Sequence, residues 1–179
     1  MVDAVQHSPA VDRRHPAWDQ AGLGADPSHA GETIGAMSSA SSHSDIDLSP
    51  LRRALATLAE ALVLWHAQAP ETVLKPHLRS AVIQSFEFSY ELSIGSLRRV
   101  LIERAGSASR VTDLSFNDLL RQAADAGLMP DPLAWRTWRE LRNATSHAYH
   151  EVKAEQVAAD AARFCLDAQA LLAAMEAAL

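Results

Sequence analysis

Residues 48–65 read LSPLRRALATLAEALVLW, and this stretch decides the fold class. Its large apolar residues return every three or four positions, the spacing that places side chains on one face of an α-helix. The stripe consists of Leu48, Leu51, Leu55, Leu58, Leu62 and Trp65. Elsewhere, no segment alternates with period two over a strand's length. The stretch therefore predicts an amphipathic helix that begins near Asp47 or Ser49 and ends before Pro70.

The helical period continues towards the carboxyl end of the chain. A second helix is predicted to begin near Pro76, because proline has no amide hydrogen to lose in a first turn, and to end at residues 106–109. A last helix is predicted from about Val152 or Lys153. The apolar face of the second helix comprises Val82, Ile83, Phe86, Tyr90, Ile94, Leu97 and Leu101. The seam of the last helix comprises Val157, Ala161, Phe164, Ala168, Leu171 and Met175.

Capping signals divide the region between these two helices. Residues 115–118, SFND, have the spacing of a capping box with Asp in the place of Glu or Gln, and Gly127 suits the position after a helix end. Asp131 and Pro132 then supply an N-cap and a first helical residue. Because most of the connections are short, residues 45–179 are predicted to form an all-α, up-and-down antiparallel bundle of four to five helices.

Residues 1–44 differ from this pattern. They contain Pro9, Pro16 and Pro27 and the run SSASSHS at 38–44, and their apolar residues follow neither period. A segment of this composition buries too little apolar surface to offset the entropy lost on ordering. Residues 1–44 are therefore predicted to be a disordered N-terminal tail.

The charge and cysteine content limit the kinds of function. Sixteen Lys and Arg against 22 Asp and Glu give a formal net charge of −6, which argues against broad, non-specific binding of nucleic acid. The lone Cys165 can form neither a disulfide framework nor a zinc site. No apolar run reaches the roughly 20 residues that span a bilayer. We expect a cytoplasmic protein with no membrane association, no metal and no cofactor.

Chemistry-bearing residues concentrate at residues 142–150, RNATSHAYH. Arg142 presents a planar fork of donors that suits phosphate oxygens, and His147 titrates near neutrality. On an unbroken helix, five residues correspond to about 140° of rotation and about 7.5 Å of rise, so the two groups would not converge. The helix must end or loosen between Ala144 and Ser146, or the two groups must come from different subunits. Spacing alone also leaves a second interpretation open, in which these cationic residues stabilise the carboxyl end of a helix and have no catalytic role.

Two segments resemble a known family. Residues 79–92, RSAVIQSFEFSYEL, and residues 142–149, RNATSHAY, resemble the nucleotidyltransferase substrate-binding proteins of the HEPN superfamily. Gly127-Leu128-Met129 followed by Trp135 is similar to that family's approach to the second motif. The resemblance extends over about residues 48–179, and the order of helices agrees.

This resemblance implies the toxin of a type VII-like toxin–antitoxin pair, a metal-independent endoribonuclease with an Arg-x4-His motif. Arg142 and His147 would be catalytic. A partner, a minimal nucleotidyltransferase, would neutralise the toxin by transferring AMP to Tyr149. The family often has an acidic residue where this chain has His150, a departure that makes the surroundings of Tyr149 more cationic.

Four further residues have two interpretations each. Glu87 and Glu91, four apart on the second helix, either orient Arg142 or His147 or lie on a solvated face. Asn143 and Ser146 either assist phosphate binding or cap a helix end.

Assembly and function also leave alternatives open. Long apolar seams and a tryptophan cluster, taken to be exposed, predict a homodimer, as the resemblance does. The alternatives to an RNA-cleaving toxin are a non-catalytic subunit that presents a nucleotide or substrate to the transferase, and a purely structural dimeric bundle.

Overall fold

A computed structural model of the chain describes residues 46–145 and 151–179, and these ranges contain six α-helices and no β-strand. The helices are α1 (Ser49–Ala67), α2 (Leu74–Ala105), α3 (Ser109–Thr112), α4 (Phe116–Asp125), α5 (Pro132–Thr145) and α6 (Glu151–Ala177). The prediction of an all-α bundle is confirmed, with α3 as an additional single turn. The predicted tail, residues 1–44, lies outside the described residues.

Side-chain caps begin three of the helices where the sequence signals predict them. The Asp47 carboxylate accepts the amide hydrogen of Ser49 at 2.8 Å at the start of α1. The Ser115 hydroxyl accepts the amide hydrogen of Asp118 at 3.2 Å. The Asp131 carboxylate accepts two amide hydrogens from the first turn of α5, at 3.0 and 3.1 Å. Each of these bonds satisfies a backbone donor that has no partner within its helix.

Glycines end two helices in the left-handed conformation that favours this residue. Gly106 has φ 62° after α2 and Gly127 has φ 74° after α4, as predicted.

The start of one helix and the presence of another differ from the prediction. Helix α2 begins at Leu74, slightly before Pro76, and α3 occupies a segment with the composition of a loop. A four-residue helix is too short for its apolar residues to show a period.

Contacts near the helix ends give the direction of α1, α2 and α6. The Lys75 ammonium at the start of α2 donates to the carbonyl oxygen of Trp65 near the end of α1 at 2.7 Å, so these two helices run antiparallel. Arg52 near the start of α1 forms an ion pair with Glu176 near the end of α6, so α6 also runs antiparallel to α1. These three helices pack against one another, and α4 and α5 pack on α2.

An aromatic cluster lies at the centre of the core. The ring of Phe164 on α6 meets Phe86 edge-on at 4.8 Å between centroids, and Tyr90, Trp135 and Trp138 lie 6.0–6.3 Å from it. Edge-to-face packing of this kind adds to the stabilisation from burial of apolar area. The cluster joins α2, α5 and α6 and so determines where α5 lies.

The tryptophans of the bundle are core residues. The sequence allows two locations for them, the core and a dimer interface, and the core is observed: Trp65, Trp135 and Trp138 are 3%, 2% and 4% exposed. The exposed tryptophan cluster, predicted as an argument for a homodimer, is wrong. Trp135 and Trp138 pack around Phe164, and the Lys75 ammonium lies 4.5 Å over the Trp65 ring. Among the described residues, no helix is long and apolar enough to cross a membrane.

Candidate active site

Helix α5 carries Arg142 and is held in place from one side. Its residues Trp135 and Trp138 are buried against α6, and the indole nitrogen of Trp138 donates to the Asp167 carboxylate at 2.9 Å. A helix anchored by two large buried rings has little freedom to slide or rotate. The position of the Arg142 backbone is therefore determined by the core.

Arg142 faces helix α2, where its guanidinium group meets Glu91. Its Nε donates to the Glu91 carboxylate at 2.8 Å, and the Arg142 side chain is 35% exposed. Of the two interpretations of Glu91, contact with Arg142 is the one observed. Within the described residues the terminal guanidinium nitrogens have no hydrogen-bond partner, and they carry four of the five N–H donors. This arrangement suits an anion with paired oxygens, such as a phosphate.

Thr145, which the sequence did not single out as a site residue, connects the end of α5 to α2. Its hydroxyl lies within hydrogen-bond distance of the Glu87 carboxylate and 2.6 Å from the carbonyl oxygen of Arg142, so one proton serves two acceptors. Thr145 is buried at 9% exposure. Glu87 contacts Thr145, and Glu91, four residues later on α2, contacts Arg142, three residues earlier on α5. The order of the contacts is reversed between the two helices, as expected for neighbouring helices that run antiparallel.

The remaining predicted site residues are not brought into this network. Asn143 is exposed on α5 and forms none of the network's contacts. Ser146, His147 and Tyr149 lie outside the described residues, as does His150. No group of three or more His, Cys, Asp or Glu with metal-site geometry is found in residues 46–145 and 151–179.

Tyr90 and Arg139 lie near the Arg142–Glu91 pair. Burial raises the pKa of Tyr90 to about 12, while the charges of Arg139 and Arg142 oppose this shift, so the hydroxyl stays protonated at neutral pH. Arg139 is exposed, and its guanidinium carbon lies 4.5 Å over the ring of Phe116 on α4. Arg136 is exposed on α5, about two turns before Arg142.

Three kinds of comparison with known proteins each give a match. A family model described as "Nucleotidyltransferase substrate binding protein like" matches residues 46–177. The probable ribonuclease HepT of Haemophilus influenzae is 35% identical over 108 residues, which cover 60% of this chain and 73% of that protein. A solved structure from Haemophilus influenzae, described as revealing the fold of a substrate-binding domain of a nucleotidyltransferase, aligns with a TM-score of 0.66. That alignment has 31% identity and covers 73% of this chain and 99% of the other.

Proposed function

This chain belongs to the nucleotidyltransferase substrate-binding protein family of the HEPN superfamily, and on that basis we propose that it is an endoribonuclease toxin of a toxin–antitoxin pair. A relative named as a probable ribonuclease, at 35% identity, supports the reaction class. The observation that carries the proposal is the Arg142 guanidinium group, which Glu91 holds at its Nε and whose terminal nitrogens have no hydrogen-bond partner among the described residues.

The proposed reaction is the cleavage of RNA by its own 2′-hydroxyl. The 2′-oxygen bonds to the adjacent phosphorus and the bond from phosphorus to the 5′-oxygen breaks. His147 takes the proton of the 2′-hydroxyl and delivers a proton to the departing 5′-oxygen, as general acid–base catalysts do. The products are a 2′,3′-cyclic phosphate and a 5′-hydroxyl. Arg142 stabilises the negative charge that develops on the phosphoryl oxygens.

The carboxylates of Glu91 and Glu87 on α2 preorganise Arg142 and the end of α5 for this role. A donor that is already oriented before the substrate binds does not have to be reorganised during the reaction. Glu91 orients the guanidinium group, and the contact between Glu87 and Thr145 fixes the end of α5. His147 follows Thr145 by two residues, so chain length alone keeps their Cα atoms within about 7 Å. Asn143 and Ser146 are further candidates for contacts with phosphate.

The test of this function uses the purified full-length chain and short single-stranded RNA with a chelator present. We expect cleavage, since no step requires a metal, and products that end in a 2′,3′-cyclic phosphate by mass spectrometry. Products with 3′-hydroxyl ends, or activity that chelation abolishes, would contradict the mechanism.

Glu91→Gln preserves a hydrogen-bond acceptor without its charge. If the role of Glu91 is to orient Arg142, kcat should fall less in Glu91→Gln than in Glu91→Ala.

We also propose that a minimal nucleotidyltransferase is the antitoxin partner. In the proposed modification the phenolic oxygen of Tyr149 bonds to the α-phosphorus of ATP, pyrophosphate leaves and the phenolic proton is lost. An AMP group so close to His147 in sequence adds bulk and a negative phosphate next to the proposed site. Substrate RNA is then excluded by both size and charge.

The proposed active form is a homodimer in which two motifs lie near each other. The family supports this arrangement, because the resemblance of residues 79–92 and 142–149 to the HEPN superfamily implies a bundle that commonly dimerises. Light scattering at micromolar concentration is expected to give twice the monomer mass. A protein that is strictly monomeric and fully active would rule out a site shared between subunits.

A second candidate function is a non-catalytic subunit that presents a nucleotide or substrate to the transferase. The description of the solved relative, as a substrate-binding domain of a nucleotidyltransferase, favours it. This candidate predicts binding of the partner without RNA cleavage. The cleavage assay above therefore separates the two functions.

A further inference from the structure

A cleft with a volume of about 700 Å³ opens between the first turns of α2 and α6. This volume lies in the range of pockets that bind small molecules or parts of larger ligands. Its apolar walls come from Pro70, Pro76, Val152 and Ala159. Val152, on the rim of the cleft, is 85% exposed. Apolar walls suit the faces of a planar group.

The polar residues of the cleft carry a net positive charge, because Lys75 lines it together with Arg79 and Glu155. The guanidinium of Arg79 pairs with the Glu155 carboxylate at 3.0 Å, so these two charges neutralise each other. The Lys75 ammonium donates to the carbonyl oxygens of Trp65 and Gln68, at 2.7 and 3.2 Å. Gln156 also lines the cleft, and its amide nitrogen donates to the Asp160 carboxylate at 2.9 Å. A nucleotide of RNA suits this cleft, because its base is planar with apolar faces and polar edges, and its phosphate is negative.

The cleft also lies beside the proposed catalytic motif. Four of its lining residues belong to the first turns of α6, which begins at Glu151, directly after residues 142–150. On α2, Arg79 precedes Glu87 by eight residues and Glu91, the partner of Arg142, by twelve, which corresponds to about 12 Å and about 18 Å along the helix axis. A ligand in the cleft would therefore lie within a short distance of the end of α5, where Thr145 contacts Glu87.

We propose that this cleft binds a nucleobase of the RNA substrate and determines the base preference at a position a few nucleotides from the cleaved phosphate. The inference rests on the proposed ribonuclease function and adds the basis of its sequence preference. The prolines and Val152 contact the faces of the base. Glu155 and Gln156 supply groups that distinguish bases by their edges, since carboxylates accept from exocyclic amines and glutamine pairs with adenine.

The first test fills the cleft in the full-length chain with Ala159→Trp. The matched control is Ala173→Trp, an exposed alanine on the same helix that does not line the cleft. Sequencing of cleavage sites in a random-sequence RNA is expected to show a base preference for the wild type and the control that Ala159→Trp loses. KM should rise on the order of tenfold, the loss of one stacked base, while kcat changes far less. Equal preference and KM in all three proteins would overturn the inference.

The second test measures binding without cleavage. Saturation-transfer NMR of the full-length protein with each of the four nucleoside 5′-monophosphates should show transfer to base protons of at least one of them. The signal should persist in Ala173→Trp and vanish in Ala159→Trp. If Ala159→Trp fails to fold by circular dichroism, Gln156→Leu replaces it and should change the ranking of the four bases. An unchanged ranking in a folded Gln156→Leu, or signals that survive in a folded Ala159→Trp, would overturn the inference.

The two proposals fail in distinguishable ways. A wild type that binds a nucleotide in the cleft but does not cut RNA would refute the ribonuclease function and leave the base site standing. A wild type that cuts RNA with no dependence on the cleft variants would refute the base site alone.

Discussion

Replacing either Arg142 or His147 by alanine is expected to reduce the rate of RNA cleavage by at least about a hundredfold. A general acid–base residue typically contributes 10²–10⁴-fold and an oriented donor to a developing oxyanion about 10²–10³-fold. The measurement is the single-turnover rate on a short RNA with purified full-length protein. In cells, both variants should relieve the inhibition of growth.

The controls separate chemistry from folding. The pair between Arg142 and Glu91 is substantially exposed, so its loss should cost about 1 kcal/mol or less of stability, and the melting curve should change little. Arg136→Ala removes an exposed arginine from the same helix and should keep the wild-type rate within about twofold. A folded His147→Ala that still cleaves RNA at the wild-type rate would eliminate the proposed proton-transfer role of this histidine.

Tyr149→Phe is expected to keep full ribonuclease activity and to escape neutralisation by the partner. The hydroxyl is the proposed acceptor of AMP and takes no part in the cleavage reaction. Co-expression of the wild type with the nucleotidyltransferase should add the mass of one AMP or a small multiple, mapped to Tyr149. Cells that express Tyr149→Phe with the partner should stop growing, whereas cells that express the wild type with the partner should grow.

The chain contains a matched control for this experiment, because it has only two tyrosines. Tyr90 is 5% exposed, and burial raises its pKa to about 12, so its hydroxyl is a poor acceptor for a second enzyme. Tyr90→Phe should therefore be modified and neutralised like the wild type. If the partner silences Tyr149→Phe as well, inhibition comes from non-covalent binding, and the second candidate function gains support.

The charge of the attached group is the reason we expect the proposed modification to block the site. The phosphate of an AMP on Tyr149 is negative, and the terminal nitrogens of Arg142 have no hydrogen-bond partner among the described residues. It can occupy the place of the substrate phosphate and repel the RNA backbone. The effect should weaken only modestly with added salt, because bulk and charge act together.

The sequence alone predicted five of the six helices of the described residues and most of their limits, missing α3 and the start of α2. The leucine stripe of α1, the aspartate before Pro132 and the glycines at positions 106 and 127 act through neighbours within about one helical turn, so their effect can be read from a short stretch. The family also followed from two short segments, and the comparisons confirm it. The prediction that residues 142–150 are the site of chemistry came from a short stretch in the same way, because its side chains are adjacent in the chain, and it stays a prediction.

Tertiary structure decided which residues meet. Glu91 and Arg142 are 51 positions apart, and the spacing of Glu87 and Glu91 was equally consistent with a solvated face. Their contact with α5 depends on the register between two antiparallel helices, which the rings around Phe164 determine. The burial of the tryptophans, the role of Thr145 and the cleft beside α6 have the same origin. Register is a property of the whole packed core, where every side chain must fit its neighbours at once, and no local pattern in the sequence records it.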